Sequence, residues 1–347
     1  MPAYFNAGYF VEETAWHGLG TVVDAPPATR EEAIVLAGHD YSVVAAPVFA
    51  RFGTPEQPQY QEIPGWRQMI AQSNGERRSQ FHGNLLHVAK DSYAVIQNEV
   101  AYDFADAMVD IGFSRWAGIT LRDGAECALT FKLDEPIVID GDDSLTLPYF
   151  VLSWAHDGSG ALRGRSTSIR AECWNTVSAG EAEGKRLGTD FSIRHTQNWA
   201  SRVEDAKKAL KGVRRDIEAY RTVMEEFAAI PVTREARELF VKALVLDQKV
   251  ASVSRFKADV ANGAYSARVQ TNVENAVAGA KALFAGKTIP EEHRLTAYGL
   301  HMVGVEYLDH VRRAHNDATR VGRSLLRDEP AKAKLNPLIR EIVANQR

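Results

Sequence analysis

Three arginines and four hydroxyl side chains crowd one short, glycine-containing stretch. Residues 158–170 read GSGALRGRSTSIR, which sets Arg163, Arg165 and Arg170 beside Ser159, Ser166, Thr167 and Ser168. Guanidinium groups, hydroxyls and the backbone amides of a glycine-rich loop together suit a phosphate backbone or another anion. A hairpin loop kept in solution by its arginines accounts for the same letters. A second basic stretch, HVRRAHNDATRVGRSLLR, covers 310–327. Arg320, Arg323 and Arg327 fall at i, i+3 and i+7, so a continuous helix aligns them on one face, and Arg312 and Arg313 extend the patch backwards. A solvated helical face is the alternative. Aromatic residues are not interleaved here, so base stacking would have to come from Trp116, Trp154 or Trp174, which sit in β-rich runs where core burial is the simpler role.

Other chemistries find less support. The chain has 10 histidines but no HExxH and no paired CxxC, so standard zinc spacings are missing. His301, Glu306 and His310 share one helical stretch, but nine residues, about two and a half turns, put the two imidazoles on opposite faces. Cys173 with His156 is the conceivable nucleophile–base pair; a cysteine at the end of an apolar run, beside Trp174, reads more simply as packing. Asp103, Asp106 and Asp110 lie along one helical segment and Asp140, Asp142 and Asp143 cluster in a turn, as magnesium-binding carboxylates do, although an acidic outer helix face explains the first set. No Walker motif occurs, and no GxGxxG follows a strand; HGLG at 17–20 is the other glycine-rich stretch. No catalytic, cofactor or metal site is assigned.

The elements that must position these residues differ between the two halves of the chain. Thr29 followed by Glu31 and Glu32 predicts an N-capped helix that Gly38 closes. Short β-rich runs follow at 41–52, 84–90 and 92–97. Val100, Phe104, Met108 and Ile111 space out one face of a helix over 99–111, stopped by Gly112. Asp123-Gly124 between two apolar runs predicts a hairpin, and 140–143 a second turn. The run 166–173 forms the last strand, reached through a loop at 156–165. Strand pairs with short turns predict a mainly antiparallel sheet. From Trp199, apolar residues recur at Val203, Ala206, Leu210, Val213, Ile217, Tyr220, Met224 and Phe227, a stripe sustained for about four heptads. Pro231 ends it, Thr233 with Glu235 restarts a helix to about Asp247, and further helices fit 264–285, 291–314 and 331–345. The fold class is therefore α+β. A β-rich domain over 1–190 precedes a helical domain over 191–347 that carries the heptad-patterned helix 199–227, the junction lying in 178–190. The stripe packs against the later helices of the chain or zips against another copy.

Composition narrows the function classes. Of 347 residues, 45% are apolar and 25% charged, ordinary for a folded protein, and no apolar run is long enough to cross a bilayer. The N-terminus lacks the pattern of a secretory signal, and the chain's 2 cysteines suit a reducing cytoplasm. The net charge of −4 is unevenly spread: residues 1–150 hold 9 Lys/Arg against 21 Asp/Glu, and residues 151–347 hold 32 against 24. A polyanion would therefore meet the second half.

Five segments taken in order, AWHGLGTVV, HDGSGAL, IRAECWNTV, RHTQNWASRVEDAKKAL and YGLHMVGVEYLDHVRRA, resemble the phage/plasmid-like proteins of domain-of-unknown-function family 932. The family's Arg-Val-Val-Cys-x-Asn-Thr-Leu pattern corresponds to residues 170–177, where Glu172 replaces an apolar residue. The resemblance implies a mobile-element gene acting in a bacterial cytoplasm and supplies no catalytic residues. The expected function is a phage- or plasmid-encoded protein that binds or anneals single-stranded DNA without catalysis, in recombination, as a homo-oligomer and away from membranes. The alternative is an interaction protein that inhibits a host defence or repair factor, its acidic front mimicking charge.

Overall fold

A computed structural model describes residues 5–12, 19–74, 77–170, 175–177, 190–246, 255, 258–312 and 330–346. Two compact units form, and neither is continuous in sequence: unit 1 comprises 1–134, 149–165 and 188–213, and unit 2 comprises 135–148, 166–187 and 214–347. The strands Asp142–Ala155 and Leu162–Arg170 each contribute residues to both units.

Unit 1 is built on a sheet containing β1 (Phe5–Val11) and β2 (Thr21–Val23), with a separate sheet of β3 (Tyr41–Gly53), β4 (Pro58–Ser73) and β5 (Leu85–Lys90). The first sheet continues with β6 (Ser114–Leu121), β7 (Glu126–Lys132), the 149–155 part of β9 (Asp142–Ala155) and the start of β10 (Leu162–Arg170). Its order is β10-β9-β7-β6-β1-β2, with β12 (Phe191–Ile193) paired to β10. β1 and β2 run parallel, while β1–β6, β6–β7, β7–β9 and β10–β12 pair antiparallel.

Local chemistry explains the helices that cover this sheet. In α1 (Arg30–Ala37), Thr29 Oγ1 accepts from the Glu32 amide at 3.1 Å, and Gly38 ends the helix at φ 74°. That left-handed C-cap suits glycine, which has no Cβ to clash. Helix α1 lies so close to β6 that a Cβ on Gly118 would stand 2.7 Å from Ala37 Cβ. Helix α2 (Asn98–Asp110) buries Phe104 and Met108, two of the residues whose spacing predicts it. The core they enter includes Tyr9, Phe131 and Phe150. The Asp123-Gly124 hairpin forms as expected between β6 and β7, although Arg122 and Asp123 also take positive φ.

Several local expectations need correction. Residues 92–97 are not a strand: after Lys90 the chain leaves the sheet, and the Gln97 side chain reaches back to both the amide and the carbonyl of Val43, at 2.8 Å each. Two edge hydrogen bonds at Val43 are thus supplied by one amide side chain. Strands β1 and β4 are unforeseen. β4 forms despite Pro58, Pro64 and Gly65 because β3 holds it in register over twelve paired positions, with a bulge absorbing the Pro64-Gly65 region. β10 begins at Leu162 rather than at 166, so the loop is shorter than expected and Arg163 and Arg165 belong to the strand.

The heptad stripe is buried at every position from Val203 to Phe227, so it packs within the chain. It is not one helix. α3 (Trp199–Leu210) and α4 (Val213–Ala229) are separated by a turn at Lys211-Gly212. The spacing carries across because both helices present an apolar face, and Gly212 interrupts the backbone without disturbing the count.

Unit 2 holds the hairpin of β8 (Ile137–Ile139) with the start of β9, the pairing of β11 (Asn175–Val177) with the end of β10, and a helical bundle. The bundle contains α4, α5 (Arg234–Leu246), α6 (Ala267–Leu283), α7 (Ala297–Glu306), α8 (Pro330–Ala333) and α9 (Leu335–Asn345). Residues 297–305 of α7 are all buried, as befits a helix apolar all round, and α5, α6 and α9 surround it. A turn of π-helix, Tyr307–Val311, extends α7 and carries Asp309, which pairs with Lys332 Nζ at 2.6 Å. Both partners of this pair are buried. The architecture is α+β, with a β-rich N-terminal half and a helical C-terminal half.

Candidate functional site

Strands β10 and β12 bring together charges that are far apart in sequence. Arg163 stands opposite Ser192, while Leu162 stands opposite Ile193 and Gly164 opposite Phe191. Alternation across the pleat divides the pair: Leu162, Gly164 and Ile193 turn inward and are buried, while Ser192 and Arg194 are exposed and Arg163 is half-buried. Arg194 therefore follows Ser192 on the side that carries Arg163. Neither guanidinium has an ion-pair partner among the described residues. Arg202, from α3, donates to the Ser192 carbonyl at 3.1 Å and adds a third cation beside this strand. Arg165 lies two residues beyond Arg163, on the same pleat, and is half-buried.

Immediately after Arg194 the chain enters an aromatic cleft of about 590 Å³, lined by Trp66, His87, Lys90, Tyr93 and His195 among others. The rings of Tyr93 and His195 stack in parallel, 4.7 Å between centroids and 10° between planes, and His87 meets Tyr93 edge-on at 5.8 Å. His195 Nδ1 faces the Ala94 carbonyl at 3.0 Å, so this nitrogen carries the proton and Nε2 is left with its lone pair. Burial lowers the His195 pKa, opposed by the Ala94 and Ala155 carbonyls and by Asp157, and reinforced by His87. The imidazole is thus neutral at pH 7. Burial likewise raises the Tyr93 phenol, and its hydroxyl has no hydrogen-bond partner among the described residues.

Behind the cleft lies a hydrogen-bonded hub. Asn98 Nδ2 donates to the carbonyls of His39 (3.1 Å) and Tyr41 (2.9 Å), which fixes Oδ1 as an acceptor for Trp154 Nε1 and His156 Nε2, both at 2.9 Å. His156 consequently keeps a bare, buried Nδ1. Burial, with smaller contributions from His195 and His39, lowers its pKa to about 3. His39 donates from Nε2 to the Ile119 carbonyl and accepts from Tyr102, and burial lowers it to about 4. These imidazoles are neutral parts of a scaffold; the cleft's lining combines four rings and the Lys90 ammonium with Val88, Ala89, Ser92, Thr196 and Gln197. Such a lining suits a planar ring held by stacking, with a cation nearby for an anion.

The remaining sequence candidates are dispersed. The strand segment of Arg170 pairs with Asn175, its side chain lying outside the described residues. Arg312 ends the π-turn in unit 2, half-buried. Arg313, Arg320, Arg323 and Arg327 lie outside the described residues, as do Cys173, Trp174, His17 and the junction 178–189. Cys127 is buried and its thiol is pushed up to about 12 by that burial, which makes it an inert packing group. Trp154 is buried, and Lys132 Nζ sits 3.7 Å over the Trp116 ring, so among the described residues the exposed tryptophan of unit 1 is Trp66.

The carboxylate clusters have other partners. Asp103 and Asp106 are bridged by Arg30, with Arg115 on Asp106 at 2.6 Å and Lys207 on Asp103 at 3.7 Å. Asp142 is buried and accepts from Tyr298 at 2.9 Å. His301 is buried against Asn336, its pKa lowered to about 4 chiefly by that burial. Among the described residues, no group of three or more metal-ligating side chains is close enough to hold an ion, and no helix is long and apolar enough to cross a membrane.

The sequence reading missed Arg194, His195, Tyr93, His87 and Trp66. One signal was present: Arg194 and His195 open RHTQNWASRVEDAKKAL, a segment that carries the family resemblance. No curated protein and no solved structure matches the chain. A family model matches residues 85–329, which takes in the cleft from His87 to His195 and the β10–β12 arginines and leaves out β1 to β4 with Trp66. The chain belongs to the family described as domain of unknown function (DUF932).

Proposed function

We propose that the protein binds single-stranded nucleic acid and holds or anneals it without covalent chemistry, as a phage- or plasmid-encoded factor of the bacterial cytoplasm. The observation that carries this reading is the pairing of Arg163 with the Ser192–Arg194 side of β12, directly ahead of the stacked His195–Tyr93 rings. Phosphates engage the two unpaired guanidinium groups, and a splayed base finds flat faces at Trp66, Tyr93 and His195 with Lys90 beside them. The chain is acidic overall, so the attraction is local to this strand pair rather than a property of the whole surface.

The test is fluorescence anisotropy of a labelled single-stranded oligonucleotide at salt concentrations from about 50 to about 200 mM. Each phosphate contact contributes about 0.7 to the slope of log affinity against log salt on a single strand. The double variant Arg163→Gln, Arg194→Gln should therefore flatten that slope by about 1.4. An absence of binding at micromolar protein and low salt, or a slope that the double variant leaves unchanged, overturns the proposal. A stoichiometric host protein recovered after nuclease treatment would favour the alternative, an inhibitor of a host factor.

A further inference from the structure

Residues 156–160, HDGSG, open the glycine-containing loop for which the sequence suggests anion binding. In unit 1 the polar groups of this loop are turned on one another. Asp157 Oδ1 accepts from the Ser159 amide at 2.8 Å, and Ser159 Oγ donates to Glu126 Oε1 at 3.3 Å. The Arg122 guanidinium lies 3.2 Å from Glu126 and 3.6 Å from Asp157. At the start of the loop the His156 ring is fastened to Asn98, and its amide donates to the Ala125 carbonyl at 2.7 Å. An anion arriving here would meet two carboxylates, and the Ser159 amide that could receive it is already taken.

What the loop does reach is the aromatic cleft. Gly158 takes φ 74° and lies so close to the His87 ring that a Cβ there would stand 2.7 Å from Nε2, 3.1 Å from Cε1 and 3.4 Å from Cδ2. The imidazole lies across the glycine and leaves no room for a methyl group. Glycine is therefore required twice, for the backbone angle and for the space. The same ring meets Tyr93 edge-on at 5.8 Å, and Tyr93 stacks on His195 at 4.7 Å. A continuous run of contacts thus leads from a loop held by its own hydrogen bonds to the flat lining of the cleft.

We propose that Gly158 is a positioning residue for the cleft: it seats His87 against the loop, His87 holds the edge of Tyr93, and the cleft keeps the shape that admits a base. This rests on the nucleic-acid reading of the same site and deepens it by assigning the loop to the base and not to the phosphates, which fall to Arg163 and Arg194. A methyl group at 158 displaces the His87 ring and with it the support of the Tyr93 stack. The base then loses its seat while the phosphate contacts stay.

Fluorescence anisotropy with two oligonucleotides of equal length tests it, one carrying its bases and one built wholly of abasic tetrahydrofuran units, so that the phosphates match. Stacking of a base on aromatic rings should give the wild type at least about a tenfold preference for the base-bearing strand. Gly158→Ala should cut that preference to under about threefold, with the abasic affinity and the salt slope unchanged. In a His87→Ala background there is no ring to displace, so Gly158→Ala should leave the preference where His87→Ala alone puts it. The backbone strain at position 158 is the same in both backgrounds, so a merely structural fault would act equally in each. Asp157→Ala releases the Ser159 amide without adding bulk; it covers a failure of Gly158→Ala to fold and should lower the preference at least about threefold. A wild-type preference in the folded variants, a loss shared equally by the abasic strand, or an equal effect of Gly158→Ala in both backgrounds overturns the proposal. A wild type that binds the two strands alike removes the base-binding reading itself, and this inference with it.

Discussion

Replacing Asn98 with alanine should be among the most damaging single changes in unit 1. The side chain is 2% exposed and makes four hydrogen bonds, two as donor to the His39 and Tyr41 carbonyls and two as acceptor from Trp154 and His156. Alanine deletes all four and leaves two carbonyls and two ring N–H groups buried without partners. A net contribution of about 1 kcal/mol for each bond gives about 4 kcal/mol, a third or more of a typical domain's stability. Asn98→Leu separates the two components of the loss: it refills the space but satisfies none of the polar groups, so it should cost about as much as alanine. Urea unfolding followed by tryptophan fluorescence measures both, with Trp154 as a reporter in contact with the site. A loss under about 1 kcal/mol for alanine, or recovery of stability by leucine, would refute the reasoning that unmet hydrogen bonds rather than lost volume dominate here.

Acid should weaken unit 1 well before its carboxylates titrate. Burial holds His39 at about 4 and His156 at about 3. Against an unfolded value near 6.5, the unfolded chain takes up these protons first as pH falls. The two imidazoles contribute nothing above about pH 7 and should together cost about 4 kcal/mol by about pH 5; identical urea midpoints at the two pH values would contradict this. Thr29→Ala should cost about 1 kcal/mol in thermal or urea unfolding through loss of the α1 cap. Gly118→Ala should destabilise by about 1–3 kcal/mol, because its Cβ would stand 2.7 Å from both Ala37 Cβ and Tyr9 Cε1. Arg340→Ala should change stability by less than about 1 kcal/mol despite a bidentate contact with Glu226 at 2.9 and 3.0 Å, since both side chains are about half exposed.

Much of the local structure is legible in the letters. Thr29 and Gly38 bracket α1, Asp123-Gly124 turns β6 into β7, and the stripe from Val203 to Phe227 marks a buried face. These signals are local, and the physics that produces them acts within a few residues. β4 is illegible because Pro58, Pro64 and Gly65 argue against a strand, and only the pairing with β3 overrides them. Ser92 to Gln97 shows the converse: β-prone residues leave the sheet because the Gln97 amide takes the edge position at Val43. The candidate site is harder still. Trp66, His87, Tyr93 and His195 meet only when a hairpin, a loop and a late strand converge, and no spacing rule spans that separation. Arg163 could be named in advance, but its company with Arg194 follows from strand pairing alone.

The way the chain is threaded through its two units has a consequence for how the gene can be altered. With boundaries after residues 134, 148, 165, 187 and 213, no single cut separates one unit cleanly from the other. A fragment ending at 213 keeps every segment of unit 1 but also carries 135–148 and 166–187 of unit 2 without the rest of that unit. During synthesis, unit 1 waits for α3 to leave the ribosome, by which time the β8–β9 hairpin of unit 2 has long emerged. Simple end-to-end fusion or deletion therefore cannot exchange one unit without carrying segments of the other.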